Sequence, residues 1–264
     1  MRQLVLSVPP DREGCAILSG SEYRYLVQVL RKVSGDVIEV RLPDGTLTLM
    51  KISAIERKDK RVLLSPERRT PAEKRAEPGN GDYPKIILFQ WLLKGPKMDQ
   101  VIRQATETGV ACIVPVAGER CLSRDADSVG EGKTGRWERI VREARQQSGS
   151  PVATDILPPV SVPDIPALWK SLTGEISGIA LVLTEAPLAR KSLHGYLGNG
   201  AGLTALAIGP EGGMTSGEMA LLDEAGFLCV HFRTNILRAE TAALYGIAAV
   251  QSALTELEKW QLKE

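Results

Sequence analysis

From residue 85 onward the apolar positions fall into short runs, each followed by a loop or an amphipathic segment. Runs of this length without polar alternation are typical of strands buried on both faces. Apolar residues at helical spacing predict helices from Met98 to Thr108 and from Thr134 to Ser148. Because strands and helices alternate, we predict an α/β domain with a parallel sheet covered on both faces. The predicted strands are Ile86 to Phe89, Val110 to Val116, Gly178 to Thr184, Leu203 to Ile208 and Phe227 to Phe232.

The first 65 residues have a different pattern, in which short apolar runs are separated by turn signals such as Pro43-Asp44-Gly45. One helix is predicted from Ser21 to Lys32, with Ser21 as its N-cap. This pattern resembles a small β-barrel. The predicted strands are Leu4 to Leu6, Ala16 to Leu18, Val37 to Val40, Thr46 to Ile52 and Arg61 to Leu64.

A stretch rich in proline, glycine and charge, residues 65–84, separates the two patterns. It has no apolar periodicity and is typical of a linker or domain boundary. We therefore predict an N-terminal domain over residues 1–74 and a second domain over residues 75–264.

The charge is unevenly distributed, although the net charge of the chain is only +1. Residues 1–75 hold 15 Lys and Arg against 10 Asp and Glu. A basic N-terminal third favours a polyanionic partner such as nucleic acid, and a solvated basic surface explains it equally well.

Composition excludes several classes of protein. Four cysteines without a C-x-x-C pair and only two histidines, His194 and His231, predict neither a metal site nor a cysteine nucleophile. The absence of a long apolar run and of a signal-peptide core leads us to expect a cytoplasmic protein with no membrane partner. Gly132-Lys133-Thr134 lacks the first glycine of a Walker loop, whose place Asp127 holds. The dinucleotide fingerprint is also absent.

Two loops follow predicted strands near the C-terminus, Gly209 to Gly213 and Arg233 to Arg238. Thr215 and Glu218 fit a capping box at the start of the helix after the first loop. Loops of this kind line the ligand crevice of open α/β sheets, so we predict one small molecule between them. The alternative is two tight connections, in which Glu211 is solvated and Glu240 interacts with a helix dipole.

Several segments together resemble the RsmE family, bacterial 16S ribosomal RNA uracil-N3 methyltransferases of the SPOUT class. The pair IGPEGG and ILRAETA is highly specific for that family. The matching segments are Tyr25 to Val40, Leu92 to Val116, Arg136 to Gly149, Ala207 to Glu218 and Ile236 to Ala243.

The resemblance implies a SPOUT α/β domain with a deep trefoil knot and an N-terminal PUA-like RNA-binding barrel. It further implies a homodimer that binds S-adenosylmethionine in the knot and methylates N3 of a uridine in 16S ribosomal RNA, within the assembled small subunit. Arg238 would stabilise charge on the uracil, Glu211 and Glu240 are candidate bases, and Arg24, Arg31 and Lys32 would contact RNA. The implied cofactor-binding residues are Leu183, Thr184, Gly209, Pro210, Glu211, Gly212, Ile236, Leu237, Arg238, Thr241 and Ala242.

The chain departs from the family pattern just before the second motif. Arg233 stands where relatives have glycine, and Asn235 where they have arginine. Since asparagine tolerates positive φ, Asn235 is expected to preserve a tight turn there. This departure favours one alternative, a non-catalytic ribosome-assembly protein. A second alternative is a SPOUT enzyme with another RNA target, against which the segment from Tyr25 to Val40 argues.

Overall fold

A computed structural model describes residues 4–67, 83–121, 131–198 and 202–258. These residues form two compact units. The N-terminal unit contains residues 4–67 together with 145–153, and the C-terminal unit contains residues 83–144 together with residues from 154 onward. The predicted domain boundary after residue 74 lies outside the described residues.

The N-terminal unit is built on a five-stranded sheet with the order β1-β3-β4-β5-β2. β1 pairs with β3 in parallel, and the other pairs are antiparallel. Its core includes Leu26, Val40 and Ile52, which are almost completely buried. The strands are β1 (Leu4–Val5), β2 (Ala16–Leu18), β3 (Val37–Arg41), β4 (Leu47–Glu56) and β5 (Arg61–Pro66).

The prediction of a single helix from Ser21 to Lys32 is wrong, because two different kinds of helix occupy this segment. The chain makes a short α-helix, α1 (Gly20–Arg24), and continues as one π-helical turn, Tyr25–Val29. Ser21 lies inside α1, and the N-cap position belongs to Ser19. Leu30 caps this wide turn, and Arg31 follows with a left-handed φ of 52°. Such turns are rare, so a 3.6-residue periodicity does not predict them.

The C-terminal unit confirms the predicted parallel α/β architecture. Its sheet has the order β12-β10-β11-β6-β7-β8, β9 also pairs with β7, and every pair is parallel. The strands are β6 (Ile86–Trp91), β7 (Cys112–Ala117), β8 (Asp155–Ile156), β9 (Val160–Ser161), β10 (Gly178–Leu183), β11 (Leu203–Ile208) and β12 (Leu228–Val230). The helices are α2 (Lys97–Glu107), α3 (Glu131–Ser148, of which residues 145–148 belong to the N-terminal unit), α4 (Ile165–Thr173), α5 (Leu193–Leu197), α6 (Ser216–Glu224) and α7 (Ala239–Glu258).

The central strands sit in the core because helices cover them. Every residue of β6 and β11 is buried. α2 buries Met98, Val101, Ile102 and Ala105, the three- and four-residue spacing of one helix face. The sheet order makes β12, β10 and β11 neighbours, so the loops that follow them meet at one edge. Within the described ranges, no helix is long and apolar enough to span a membrane.

Candidate functional site

The carboxyl ends of β10, β11 and β12 surround a pocket of about 680 Å³. Three adjacent parallel strands place their following loops side by side, as at ligand crevices of other α/β sheets. The pocket is lined by Lys97, Arg120, Leu183–Ala186, Leu188, Ile208–Met214, Met219, His231, Phe232, Thr234–Ala239 and Ala242.

The loop after β11 forms one wall as a closed turn. The Gly213 amide donates to the Pro210 carbonyl at 2.9 Å, and Gly213 takes a φ of 69° that favours glycine. Arg120 Nη1 donates to the Gly212 carbonyl at 2.7 Å. A Cβ on Gly209 would lie 3.1 Å from Met214 Cγ, so the loop has little room for a side chain there. The turn is therefore held by a hydrogen bond within the loop and by the Arg120 side chain from outside it.

Glu218 fixes the helix that follows this loop. The predicted capping box is present, with the Thr215 hydroxyl and the Glu218 carboxylate each accepting the other's amide hydrogen. The same carboxylate is 2% exposed and accepts from Trp91 Nε1 at 3.0 Å and from the Glu119 amide at 3.1 Å. A Cβ on Gly118 would lie only 2.4 Å from Glu218 Oε1. One buried carboxylate thus joins α6 to β6 and to the segment after β7.

A second wall joins the ends of β10 and β12. The Thr184 amide donates to the Val230 carbonyl at 2.9 Å, and its hydroxyl donates to the Ala186 carbonyl at 2.9 Å. His231 Nδ1 lies 3.1 Å from the Thr184 carbonyl oxygen. His231 also lines the pocket. These bonds fix both strand ends around the pocket.

The loop from Arg233 to Arg238 forms the third wall. Its tight turn lies earlier than predicted, because the Thr234 amide donates to the Phe232 carbonyl at 2.7 Å. The expected positive φ at Asn235 is wrong: outside glycine, the described residues take positive φ only at Arg31 and Lys60. Arg233 is exposed, so its side chain is accommodated toward solvent. Ile236 is 81% exposed.

Lys97, at the start of α2, links two of the walls. Its Nζ lies 3.0 Å from Glu211 Oε1 and 3.8 Å from Glu240 Oε2, a buried carboxylate at the start of α7. The Lys94 amide also donates to Glu211 Oε1 at 3.2 Å. Partial burial raises the pKa of Glu211, but hydrogen bonds from its own amide, Lys97 and Lys94 outweigh it, and the pKa lies below the usual range. Sequence reasoning missed this link because 114 positions separate Lys97 from Glu211.

The structure brings most of the predicted cofactor residues together. Leu183, Thr184, Gly209 to Gly212, Ile236 to Arg238 and Ala242 all line the pocket. Thr241 and Glu240 are not among the lining residues: Thr241 is exposed on α7, and Glu240 is buried beside Lys97.

Arg238 is exposed, and among the described residues its guanidinium has no ion-pair or hydrogen-bond partner. The three predicted RNA-binding residues lie in the N-terminal unit, where Arg24 and Arg31 are exposed and Lys32 Nζ lies 3.9 Å from Asp36 Oδ2. No group of His, Cys, Asp and Glu suited to a metal ion occurs in the described part of the chain.

Comparison with known proteins identifies the family. A family described as RNA methyltransferase domain matches residues 81–251. The ribosomal RNA small subunit methyltransferase E of Bacillus subtilis is 27% identical over 91% of this chain and 90% of its own length. That of Synechocystis is 30% identical over 94% of this chain and 77% of its own. The chain belongs to the ribosomal RNA small subunit methyltransferase E family. The family predicted from sequence, RsmE, is thereby confirmed.

Solved structures agree with the RsmE assignment. The RsmE protein of Neisseria gonorrhoeae, bound to S-adenosylmethionine, superposes with a TM-score of 0.77 at 26% identity, covering 96% of this chain and 97% of the other. A protein of Legionella pneumophila in complex with the same cofactor gives a TM-score of 0.77 at 25% identity, covering 96% and 98%. Both contain the cofactor that the sequence of this RsmE member predicts.

Proposed function

We propose that this protein transfers a methyl group from S-adenosylmethionine to N3 of a uridine in 16S ribosomal RNA, within the assembled small subunit. The observation that carries the proposal is the single pocket formed by GPEGG, ILRA and the end of β10. Its support is family membership, relatives named for small-subunit ribosomal RNA methylation, and structural neighbours that contain S-adenosylmethionine.

The pocket residues fit such a cofactor. A volume of about 680 Å³ suits a ligand of this size. Leu183, Ile208 and Met219 supply apolar surface, while the backbones of Gly209 to Gly212 and Ile236 to Arg238 supply hydrogen-bonding groups. When bound, the cofactor supplies an electrophilic methyl group. We propose that these backbone segments hold it and that their closed turns keep the pocket preorganised.

The charged residues of the pocket have distinct proposed roles. The exposed guanidinium of Arg238 stabilises negative charge that develops on the uracil oxygens. Glu211 is a poor base, because Lys97 and two amides stabilise its ionised form. Glu240 lies behind the pocket wall and pairs with Lys97. The sequence made Glu211 and Glu240 candidate bases. We propose instead that both carboxylates position the loops.

The remaining elements of the proposal concern architecture and RNA. The strand order supports a knotted C-terminal segment, because β12 lies beyond β10 although β11 separates them in the chain. Together with the basic N-terminal sequence, Arg24, Arg31 and Lys32 support RNA binding by a PUA-like N-terminal domain over residues 1–74. Exposed Ile236, Leu188 and Tyr245 support a homodimer that covers apolar surface.

Two measurements test the function. Calorimetry should show that the protein binds S-adenosylmethionine. Purified small subunits from a strain lacking the gene should then gain one N3-methyluridine in 16S ribosomal RNA, detected by mass spectrometry. Methylation of another RNA, or of another atom of 16S ribosomal RNA, would refute the proposed substrate. Cofactor binding that is absent would favour a non-catalytic assembly protein.

A further inference from the structure

The proposed reaction needs a group that accepts the N3 proton, since N3 of uracil is protonated at neutral pH. Three pocket-lining residues carry side chains of a kind that serves as a general base: Glu185, Glu211 and His231. Lys97 already holds Glu211 in its ionised form, with Nζ at 3.0 Å. Glu185 is exposed, and among the described residues no hydrogen bond or ion pair holds its carboxylate in place, whereas a general base needs a fixed position against the proton it accepts. His231 is therefore the group to consider.

The hydrogen bond of His231 determines which of its nitrogens can accept a proton. Nδ1 lies 3.1 Å from the Thr184 carbonyl oxygen, and a carbonyl only accepts. Nδ1 must therefore carry the hydrogen, so the neutral ring presents Nε2 as an unprotonated acceptor. No described residue forms a hydrogen bond with Nε2.

The ring is also held in place. His231 directly follows β12, whose Val230 is paired with Leu183 of β10. Thr184 is fixed in turn, because its amide donates to the Val230 carbonyl at 2.9 Å. The Thr184 carbonyl would also stabilise the imidazolium formed when Nε2 takes a proton, because it accepts a stronger bond from a charged donor.

We propose that His231 is the general base of methyl transfer, an inference that rests on the proposed function. The proton leaves uracil N3 for His231 Nε2. The electron pair left on N3 bonds the donated methyl carbon, and the donor sulfur keeps the electron pair of the bond that breaks. The product then carries a methyl group on N3, and the imidazolium releases its proton to solvent.

The decisive variant is His231→Asn. An asparagine amide can still donate to the Thr184 carbonyl but has no counterpart of Nε2, so it separates support of the wall from proton transfer. We expect cofactor affinity within about twofold of wild type and a single-turnover rate on small subunits lower by about 100-fold. His194→Asn, at the other and exposed histidine, is the matched control and should keep the wild-type rate. A His231→Asn rate within tenfold of wild type overturns the proposal.

A second readout needs no turnover. Nitrogen-15 spectra of the histidine side chains should show that the neutral His231 ring carries its hydrogen on Nδ1 and none on Nε2, with His194→Asn providing the assignment. The opposite tautomer overturns the proposal. Wild-type methylation of uracil N3 is measured in parallel: its failure would refute the proposed function, whereas active wild type with active His231→Asn refutes only the role of His231.

Discussion

Glu218→Gln is the sharpest test of how the fold supports the pocket. The wild-type carboxylate accepts from Trp91 Nε1, the Glu119 amide and the Thr215 amide at 3.0, 3.1 and 2.7 Å. A glutamine of the same shape has one carbonyl oxygen. If that oxygen accepts from Trp91 and Glu119, the NH₂ group of the glutamine side chain lies against the Thr215 amide. Two donors then face each other.

The magnitude follows from these bonds. One charge-assisted hydrogen bond is lost, worth about 1.5–3 kcal/mol, and the other two lose their charge assistance. Because the site is only 2% exposed, water does not replace the lost acceptor. We expect the free energy of unfolding to fall by about 2–4 kcal/mol. Cofactor affinity should fall with it, since only Met214 and the N-cap residue Thr215 separate α6 from GPEGG.

The assay is chemical denaturation at pH 7.5 followed by cofactor calorimetry. Glu224→Gln, on the exposed end of the same helix, is the matched control and should change stability by less than about 0.5 kcal/mol. If Glu218→Gln lowers the free energy of unfolding no more than Glu224→Gln does, the three hydrogen bonds do not stabilise the fold and the prediction is refuted.

Three further predictions concern Lys97, Arg238 and Arg31. Lys97→Met leaves buried Glu240 without its cation and should destabilise the fold by about 1–3 kcal/mol at pH 7.5, measured by denaturation. Lys97 also lowers the pKa of Glu211 from 4.5. The stability that the Lys97–Glu211 pair contributes is therefore present above pH 4.5 and is lost as the pH falls through the folded-state pKa of Glu211. Arg238→Ala should keep cofactor affinity and lower single-turnover methylation by about 10²–10³-fold. Arg31→Gly relieves a left-handed φ of 52° and should raise the free energy of unfolding by about 0.5 kcal/mol. The same variant should bind small subunits more weakly, and the slope of log affinity against log salt concentration should become shallower by about one.

Matched variants separate charge from shape at Lys97 and at Arg31. Lys97→Arg should recover most of the lost stability, and Arg31→Lys should keep the salt slope but not gain stability. A Lys97→Met stability deficit that stays constant as the pH falls from 7.5 through the folded-state pKa of Glu211 would contradict the Glu211 contribution. Arg238→Ala losing cofactor affinity and rate in equal proportion would show that Arg238 binds the cofactor.

The sequence alone determined the elements that depend on local or one-dimensional patterns. β10, β11 and the first part of β6 were predicted because uninterrupted apolar runs need burial on both faces. The capping box at Thr215 was predicted because its partners lie three residues apart. The two pocket loops were also recognised, since each directly follows a buried apolar run, and the first of them is rich in glycine.

Short or unusual elements were not predicted. α5 has only five residues, too few for a periodic pattern, and α4 was missed although its apolar residues have helical spacing. The π-helical turn at Tyr25–Val29, which buries Leu26 in the core, has no sequence signal of its own. Tertiary packing overrides local preference at such places.

Only the tertiary structure decided which side chains meet in the pocket. Lys97 and Glu211 lie 114 positions apart, Trp91 and Glu218 lie 127 apart, and His231 and Thr184 lie 47 apart. The sheet order brings these pairs together, because β12 lies beside β10 and β11 lies beside β6, although neither pair of strands is consecutive in the chain. A hydrophobic pattern specifies that a strand is buried, but it does not specify beside which strand, so the order of the strands and the side-chain pairs that depend on it belong to the fold.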